Sequence, residues 1–344
     1  MKGVVYTKPG TVDGLKIMEV KSPTPSNTQV LIKVKASSIN ISDYGRFTGA
    51  NGKTPMFYKM QDKMTKAVGN VLGGDIAGVV VKTGENVTKF HKGDEVFGFS
   101  LGAFPVGGWA EYALAEEDNI CIKPQNLSFE EAAAIPVTGI TALGAVQTAN
   151  VSSGKQVLVY GASGGVGQFA VQISKALGGV VTGVCSTRNI EIVKRMGADF
   201  TIDYKCEDFT KSNRTYDAIL GINGYNPLKA YKQLLRKNGV YVAVGGTRQG
   251  MMGMFGSLYS NKEKTLTSSA FASVNKPDSL LYLKNLAETG QLKPYIDNIY
   301  SIKEVKNAIT YVVKEHTHGK GVFTMDFEKR YSKPSRASQR QDER

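Results

Sequence analysis

Residues 156–177, QVLVYGASGGVGQFAVQISKAL, decide the fold. The stretch opens with the apolar strand pattern QVLVY, turns through the glycine-rich segment 161–167, and continues with apolar side chains at helical spacing. Glycines in such a turn allow tight bending and close backbone approach to a diphosphate, while the helix N-terminus faces the negative charge. The stretch therefore predicts a dinucleotide-binding unit, with a purely structural glycine turn as the alternative. The residues expected to contact the cofactor are Gly161, Ser163, Gly164, Gly165, Val166 and Gly167.

The group that binds the adenosine ribose is expected about 20 positions after the glycines, at the end of the next strand. No Asp or Glu occurs from Gln168 to Ile190, and Ser186 and Arg188 stand where an acid would accept a bond from a free 2′-hydroxyl. Hydroxyls and a guanidinium suit a 2′-phosphate better, because arginine gives phosphate a charge-assisted pair of hydrogen bonds. Tyr204, ending the following strand, is expected to add a phenol donor. The pattern predicts NADP(H) as cofactor; in the alternative, Arg188 and Tyr204 are ordinary surface residues.

The pattern of the chain differs on the two sides of this motif. Toward the C-terminus, short apolar strands alternate with helical segments to about residue 265, which predicts a doubly wound parallel sheet. Residues 1–111 carry strand patterns instead, including QVLIKVKASSI, in which exposed and buried positions are expected to alternate from 31 to 36. A helical region is expected from Phe129 to Val146, capped by Ser128. The fold class is therefore α/β, with a barrel-like first unit.

Length and composition indicate a globular protein of about two domains. At 344 residues the chain is long enough for about two domains, and its 41% hydrophobic and 21% charged residues are typical of a globular protein. No run of 18 apolar residues occurs, so no membrane span is expected. The first residues lack the pattern of a signal or transit peptide, which favours the cytoplasm.

The spacing of the cysteines argues against a metal site, and the net charge bears on nucleic-acid binding. Cys121, Cys185 and Cys206 are too far apart for a zinc knuckle, and the short His316-x-His318 pair has no cysteine nearby, so no metal site is predicted. The net charge is +13, of which residues 328–344 contribute +3, from six basic and three acidic side chains. This polar tail is expected to be disordered, and nucleic-acid binding through the basic surface stays as a minor alternative.

Five further stretches complete a recognisable pattern: VLIKVKASSIN-x-x-D, GGDIAGVVVKTGENVTKFHKGDEVFG, GGWAEYALA, AAAIPVTGITAL and GKGVF. Together with GASGGVG they resemble the medium-chain dehydrogenase/reductase superfamily and, within it, the zinc-independent quinone oxidoreductase group, over residues 1–327. The resemblance implies a GroES-like β-barrel catalytic domain over 1–121, a Rossmann NADP-binding domain over 122–265 and a return to the catalytic domain over 266–327. We also expect a homodimer.

The departures from zinc-dependent relatives concern the metal. Their metal-binding cysteine is absent from SSINISDY, their Gly-His-Glu reads Gly74-Asp75-Ile76, and their four-cysteine lobe is missing. Without a Lewis acid, unactivated alcohols become poor substrates, whereas quinones and α,β-unsaturated carbonyls are electron-poor enough to accept hydride from a reduced nicotinamide. The resemblance therefore implies a small-molecule quinone or enone as substrate.

The resemblance also suggests the residues that line the active-site cleft. Asn40, Asp43 and Tyr44 are the catalytic candidates: Asn40 for the nicotinamide ribose or a substrate oxygen, and Tyr44 as donor to the carbonyl. In the alternative, Asn40 and Asp43 are a helix cap and its first turn. On the cofactor side the candidates are Thr141, Gly245, Gly246 and Lys320, the last as a phosphate ligand, although the Thr141 hydroxyl is equally able to bond its own helix backbone.

The function expected from the sequence is hydride transfer from NADPH to quinones or enones, without zinc. An NADPH-binding protein with a structural or regulatory role and little turnover is the main alternative, because the sequence indicates cofactor binding more firmly than catalysis.

Overall fold

The computed structural model describes residues 1–7, 11–48, 71–100, 107–222, 227–244, 260–261, 263–269, 275–315 and 317–327. The predictions for Gly245, Gly246 and the tail 328–344 lie outside these residues.

The described residues form fifteen strands: β1 (Lys2–Tyr6), β2 (Leu15–Glu19), β3 (Gln29–Ser38), β4 (Asp75–Thr83), β5 (Glu95–Phe99), β6 (Tyr112–Glu116), β7 (Ile120–Ile122), β8 (Gln156–Tyr160), β9 (Val180–Cys185), β10 (Phe200–Asp203), β11 (Tyr216–Ile222), β12 (Leu235–Val244), β13 (Lys264–Ser269), β14 (Ile296–Ser301) and β15 (Lys320–Thr324). They also form eight α-helices: α1 (Ile41–Thr48), α2 (Phe129–Ala133), α3 (Pro136–Thr148), α4 (Gly167–Ala176), α5 (Ile190–Arg195), α6 (Leu228–Leu234), α7 (Lys276–Glu288) and α8 (Val305–Lys314). None of the helices in this part of the chain is long and apolar enough to cross a membrane.

Six strands form one parallel sheet in the order β10-β9-β8-β11-β12-β13. Strand β8 is at the centre and β9 and β11 flank it, so the chain reverses direction across the sheet beside the glycine turn that follows β8. Such a reversal point is where doubly wound sheets bind ligands, at the carboxyl ends of the strands. The predicted doubly wound cofactor unit is confirmed.

Seven strands form a second, mainly antiparallel sheet, in the order β14-β15-β3-β4-β5-β7 with β6 also on β3. Strand β3 shows the predicted alternation, since Ile32 and Val34 are buried while Lys33 and Lys35 are exposed. Its inward side chains pack with those of β4 and β5 in one apolar cluster. This sheet is the GroES-like unit that the sequence predicted.

The helical region after residue 128 consists of two helices rather than one. Ser128 caps α2 as predicted, because its hydroxyl accepts the Glu131 N–H and the Glu131 carboxylate accepts the Ser128 N–H. Pro136 then lies in the first turn of α3, where a missing N–H costs nothing. Helix α2 packs on β3 and β4 of the seven-stranded sheet, whereas α3 packs on α4 and α7.

The packing differs from the predicted domain boundaries at the C-terminal side. Strand β13 extends the parallel sheet to Ser269, and the leucines of α7 join the core cluster of that sheet. The chain returns to the other sheet only at β14 and β15, where β15 pairs with β3. We therefore propose that the cofactor unit continues to about residue 288.

Candidate cofactor and active site

The four glycines of the turn after β8 divide into two kinds. Gly161 has a φ of +79°, and a Cβ there would collide with the Ile222 carbonyl oxygen; a Cβ at Gly167 would collide with the Gly161 carbonyl oxygen. These two glycines are needed for the turn and for close packing of α4. At Gly164, by contrast, a Cβ would meet nothing closer than 3.5 Å, and at Gly165 it would meet the Lys320 stem at 3.1 Å. The turn is thus open at Gly164, whereas Gly165 lies close against the Lys320 stem.

The start of α4 presents backbone donors to this open space. In the described part of the chain, the N–H groups of Val166 and Gly167 donate to no backbone carbonyl, and no side chain caps the helix. The Gly165 N–H takes part in the β-bridge between Gly164 and Gly319. Unpaired N–H groups and the positive end of the helix dipole favour a bound anion. The residues present therefore fit the diphosphate of a dinucleotide.

Beside the turn lies a buried cluster of three polar side chains. The Asn189 side-chain amide, Nδ2, lies 2.8 Å from the Ser163 Oγ and 3.2 Å from the Ser186 Oγ. Ser163 belongs to the glycine turn and Ser186 follows β9, so Asn189 joins the two segments predicted to bind the cofactor. The sequence patterns did not indicate Asn189; the available signal was its place just before α5, where asparagine favours a helix start.

Arg188 and Tyr204 lie at the same edge of the sheet with exposed side chains. The Tyr204 N–H donates to the Cys185 carbonyl oxygen at 3.1 Å, which places its backbone beside the end of β9. Burial raises the pKa of the Tyr311 phenol on α8, and the positive charge of Arg188 lies close enough to oppose that shift. The Arg188 charge is thus within electrostatic reach of α8.

An acidic residue, Asp203, ends the neighbouring strand β10. It lies beside Cys185 in the sheet, and a hydrogen bond from the Thr187 hydroxyl is the largest cause that lowers the pKa of its carboxyl group. The carboxylate also accepts from the Lys205 N–H at 2.9 Å. The protein itself therefore supplies hydrogen bonds to this acid.

A second buried network lies where the sequence predicted catalytic residues, centred on the carboxylate of Asp75. It accepts from the Asn40 Nδ2 at 2.9 Å, from the Val137 N–H at 2.8 Å and from the Ser38 hydroxyl. Val137 is in the first turn of α3, so the carboxylate caps that helix from β4 of the other sheet. Asp75 has no exposed surface and joins the two units.

Lys320 completes this network and does not bind where we expected. Its ammonium donates to the Asn40 Oδ1 at 2.7 Å and to the Ile39 carbonyl oxygen at 2.9 Å, and it lies 3.7 Å from the Asp75 carboxylate. Burial is the largest influence on the pKa of this ammonium and lowers it, against the neighbouring carboxylates of Asp75 and Asp43. The predicted role as a phosphate ligand is therefore corrected: only the stem passes the glycine turn, and the charge is used inside the network.

The structure places Asp43 and Thr141 largely in the structural roles given as alternatives, a helix start and a bond to the helix backbone. The Asp43 carboxylate accepts the Asn40 N–H at 2.9 Å, as in a helix cap, and the half-buried Tyr44 ring packs against an apolar cluster that includes Trp109. The Thr141 hydroxyl donates to the Val137 carbonyl oxygen at 2.6 Å, so its oxygen is left to accept. The Asn40 side chain does not cap its helix, because it is held between Asp75 and Lys320.

The two networks meet where the glycine turn contacts the last strand. The Gly319 N–H donates to the Ser163 carbonyl oxygen at 2.8 Å, and Gly319 forms a β-bridge with Gly164. Lys320 is the next residue. The glycine turn and the Asp75 network are thus joined across the cleft between the sheets.

Metal-ligating side chains do not gather in the described residues: no group of three or more His, Cys, Asp or Glu side chains lies close enough to hold an ion.

Comparison with known proteins places the chain among dehydrogenases and reductases. Residues 26–125 match the family model described as alcohol dehydrogenase GroES-like domain, and residues 196–323 match the one described as zinc-binding dehydrogenase. The chain is 34% identical, over 90% of its length and 94% of the relative's, to a chloroplastic quinone-oxidoreductase QR1 of Triphysaria versicolor. It is 32% identical, over 94% of its length and 79% of the relative's, to a chloroplastic NADPH-dependent alkenal/one oxidoreductase of Arabidopsis thaliana. The structure of the quinone oxidoreductase from Coxiella burnetii superposes with a TM-score of 0.83 at 29% identity, covering 94% of this chain and 99% of the other.

Proposed function

The chain belongs to the zinc-independent quinone oxidoreductase group of the medium-chain dehydrogenase/reductase superfamily, and on that premise we propose that it reduces quinones or α,β-unsaturated carbonyls with NADPH. The observation that carries this proposal is the glycine turn, where the N–H groups of Val166 and Gly167 have no backbone acceptor in the described residues and lie beside the Ser163 and Ser186 hydroxyls. The substrates named for the relatives, quinones and alkenals or alkenones, share an electron-poor acceptor.

We assign cofactor binding to the glycine turn and to the sheet edge that carries Ser186, Arg188 and Tyr204. The N–H groups at the start of α4 bind the diphosphate, while Ser186, Arg188 and Tyr204 take the adenosine end. The Thr141 oxygen, whose hydrogen is already donated, accepts from the nicotinamide carboxamide. Gly245 and Gly246 stay proposed neighbours of the nicotinamide. When bound, NADPH supplies the hydride that passes to the acceptor.

The Asp75 network positions the catalytic side chain Asn40. One of its amide hydrogens is given to Asp75 and its oxygen accepts from Lys320, so the side chain is held from both ends. The second amide hydrogen and second oxygen lone pair then face substrate or the nicotinamide ribose in one fixed orientation. Asp43 supports the same helix start, and Tyr44 donates to the acceptor oxygen as negative charge develops there.

A turnover assay tests the proposal. Purified protein is mixed with NADPH and a panel of quinones and enones, and loss of NADPH is followed with and without a chelator. We expect turnover with members of both classes, unchanged by the chelator, and slower turnover with NADH. Tight NADPH binding with no oxidation across the panel would favour the structural or regulatory alternative instead.

For the assembly we propose a homodimer. Strand β13 is the last strand of the parallel sheet. On its outer edge Lys264 bridges Asn261 and Leu266 bonds the Ser260 hydroxyl, but no further strand covers it in the described residues, so a second copy is able to continue the sheet beyond Leu266. Light scattering after gel filtration should give twice the mass of one chain at micromolar protein. A monomer at that concentration contradicts the dimer.

We propose the cytoplasm as compartment, because Cys121, Cys185 and Cys206 are all free, as a reducing compartment favours. Some relatives are chloroplastic, so fractionation of cells that express the tagged protein is the test.

A further inference from the structure

The buried cluster of Asn189, Ser163 and Ser186 has hydrogens left to give. An asparagine amide has two N–H hydrogens, and here they point to the two serine oxygens. Each hydroxyl thus accepts from Asn189, and within the described residues neither has a protein acceptor for its own hydrogen. The Asn189 Oδ1 is buried without a partner. The two hydroxyl hydrogens therefore lack an acceptor within reach in this arrangement.

The free protein has a second way to pair these groups. If the Asn189 amide turned over, its oxygen would accept from both hydroxyls, and its NH2 group would take the partnerless position that the oxygen now occupies. In the arrangement observed, the hydroxyl hydrogens are instead free for a ligand. The Asn189 side chain fits the cluster in either orientation, because the NH2 group and the oxygen of an amide occupy nearly equivalent positions.

We propose that Asn189 is a positioning residue that selects NADPH over NADH by turning the Ser163 and Ser186 hydroxyls into donors for the 2′-phosphate. This inference rests on the proposed cofactor site and adds a residue that the glycine pattern does not contain. The 2′-phosphate supplies the acceptor that the two hydroxyl hydrogens lack, because its ionised oxygens accept hydrogen bonds and donate none. A free 2′-hydroxyl, which needs an acceptor for its own hydrogen, gains less from two donors.

An aspartate at this position would reverse the effect with almost no change in shape. A carboxylate only accepts, so both serine hydroxyls would donate to it and none would be left for phosphate. Its negative charge would also oppose a phosphate nearby. Asn189→Asp is therefore expected to weaken NADPH binding about tenfold or more, the loss typical of charged hydrogen bonds, while NADH affinity changes little.

The experiment measures dissociation constants by calorimetric titration for NADPH, NADH and the fragment 2′,5′-ADP, with wild-type protein, Asn189→Asp and Ser186→Ala. Asn126→Asp is the matched control: its amide donates to the Ala287 carbonyl oxygen, away from the cleft, and the substitution makes the same change of charge. We expect the ratio of NADH to NADPH dissociation constants to fall in Asn189→Asp and stay at the wild-type value in Asn126→Asp. The combined Asn189→Asp and Ser186→Ala variant should lose less than the sum of the two, because both remove the same donor.

A folded Asn189→Asp protein with the wild-type ratio, or with equal losses for both nucleotides, would overturn the inference and leave the proposed function intact. Wild-type protein that bound NADPH and NADH equally would overturn the 2′-phosphate assignment itself. Should Asn189→Asp fail to fold, Ser163→Ala and Ser186→Ala decide the matter: a selective loss of NADPH and 2′,5′-ADP supports the inference, and no selective loss overturns it.

Discussion

Lys320 is a buried cation that the fold holds between Asn40 and Asp75, 3% exposed. Burial lowers the pKa of its ammonium in the folded protein, while the unfolded chain has the ordinary value of 10.5. Between the lowered value and 10.5 the unfolded chain binds more protons, so the stability contributed by this group rises with pH over that window.

Lys320→Met tests the revised role. Removing the ammonium leaves the Asp75 carboxylate buried with less compensation, which is expected to cost about 3–5 kcal/mol of unfolding free energy. Turnover should fall on the order of tenfold to a hundredfold because Asn40 loses one of its two holds, while NADPH affinity stays nearly unchanged. Melting curves, kcat and NADPH titration measure the three effects. A selective loss of NADPH over NADH would restore the phosphate role.

Lys123→Met is the control for that variant. Lys123 is also buried, but its ammonium bonds the Leu127 carbonyl oxygen at 2.7 Å and lies 3.3 Å from Glu95, outside the site. We expect lower stability with kcat per folded molecule retained.

Tyr44→Phe isolates one hydroxyl. The ring packs against an apolar cluster, and phenylalanine keeps that packing, so the melting temperature should hardly change. If the phenol donates to the acceptor oxygen, kcat with an enone falls by up to about a hundredfold, and a more electron-poor quinone suffers less. Steady-state rates with one enone and one quinone measure this; unchanged rates with both would remove Tyr44 from the site.

Among the elements, helix α4 borders the proposed cofactor site at its start, and its glutamines Gln168 and Gln172 bond the segment that crosses between the sheets. The Gln172 side chain accepts the Lys293 N–H at 2.7 Å and donates to the Lys293 carbonyl oxygen at 3.1 Å. Gln168 makes the corresponding pair of bonds to Tyr295. The two glutamine side chains thus bond the backbone N–H and C=O groups of Lys293 and Tyr295, as a neighbouring strand would.

Gln172→Ala should loosen that crossing. Both backbone groups of Lys293 lose their partner, at a cost of about 1–3 kcal/mol. Hydrogen exchange of the amides of residues 293–295 is expected to quicken more than that of β15. Ser174→Ala, on the same helix, is the control: the Ser174 hydroxyl is buried with no partner in the described residues, so its removal should leave exchange unchanged.

An aromatic layer covers one face of the parallel sheet. The Tyr241 ring stacks on Tyr231 with centroids 4.6 Å apart, and no partner for the Tyr241 hydroxyl occurs in the described residues. Burial raises the pKa of this phenol above its ordinary 10.0, so above that pH the unfolded chain loses a proton that the folded chain keeps. Stability therefore falls as pH rises past 10.

Tyr241→Phe should remove both the unsatisfied buried hydroxyl and its contribution to the loss of stability above pH 10. We expect a gain of about 1 kcal/mol at neutral pH, because an unsatisfied hydroxyl leaves the core, and a smaller loss of stability at alkaline pH. Chemical denaturation at pH 7 and above pH 10 measures it, with the exposed Tyr204→Phe as comparison. A loss of stability at pH 7 would mean that the hydroxyl has a partner in solution.

For the molecule as a whole, the two sheets share a core. One apolar cluster includes Phe97 and Phe99 of the barrel-like unit together with Phe169 of α4 and Val242 of β12. We expect one cooperative unfolding transition, and NADPH at a hundred times its dissociation constant should raise the unfolding free energy by about 2.7 kcal/mol. Calorimetry measures this; two transitions, of which only one moves with NADPH, would contradict the shared core.

How far the sequence predicts this molecule depends on the distance over which each contact acts. The glycine turn and the Ser128 cap are local, so residue order alone indicates them. Lys320 and Asn40 are 280 positions apart, and neither pattern nor spacing tells which way a lysine stem bends once two sheets meet. Asn189 was missed for a different reason: it directly follows Arg188, but its contact with Ser163 exists only where the end of β9 and the turn after β8 come together.

Trp109, the single tryptophan, is fully buried beside this region: its indole N–H lies 3.4 Å from the Ser38 carbonyl oxygen, and its ring packs edge-on against Phe323. Ser38 also bonds Asp75. Fluorescence excited selectively in the indole band therefore comes from one place, next to the Asp75 network. Reduced nicotinamide absorbs in the band where indole emits, so NADPH bound in the cleft will quench this emission by energy transfer. The chain thus carries its own optical sensor of cofactor occupancy.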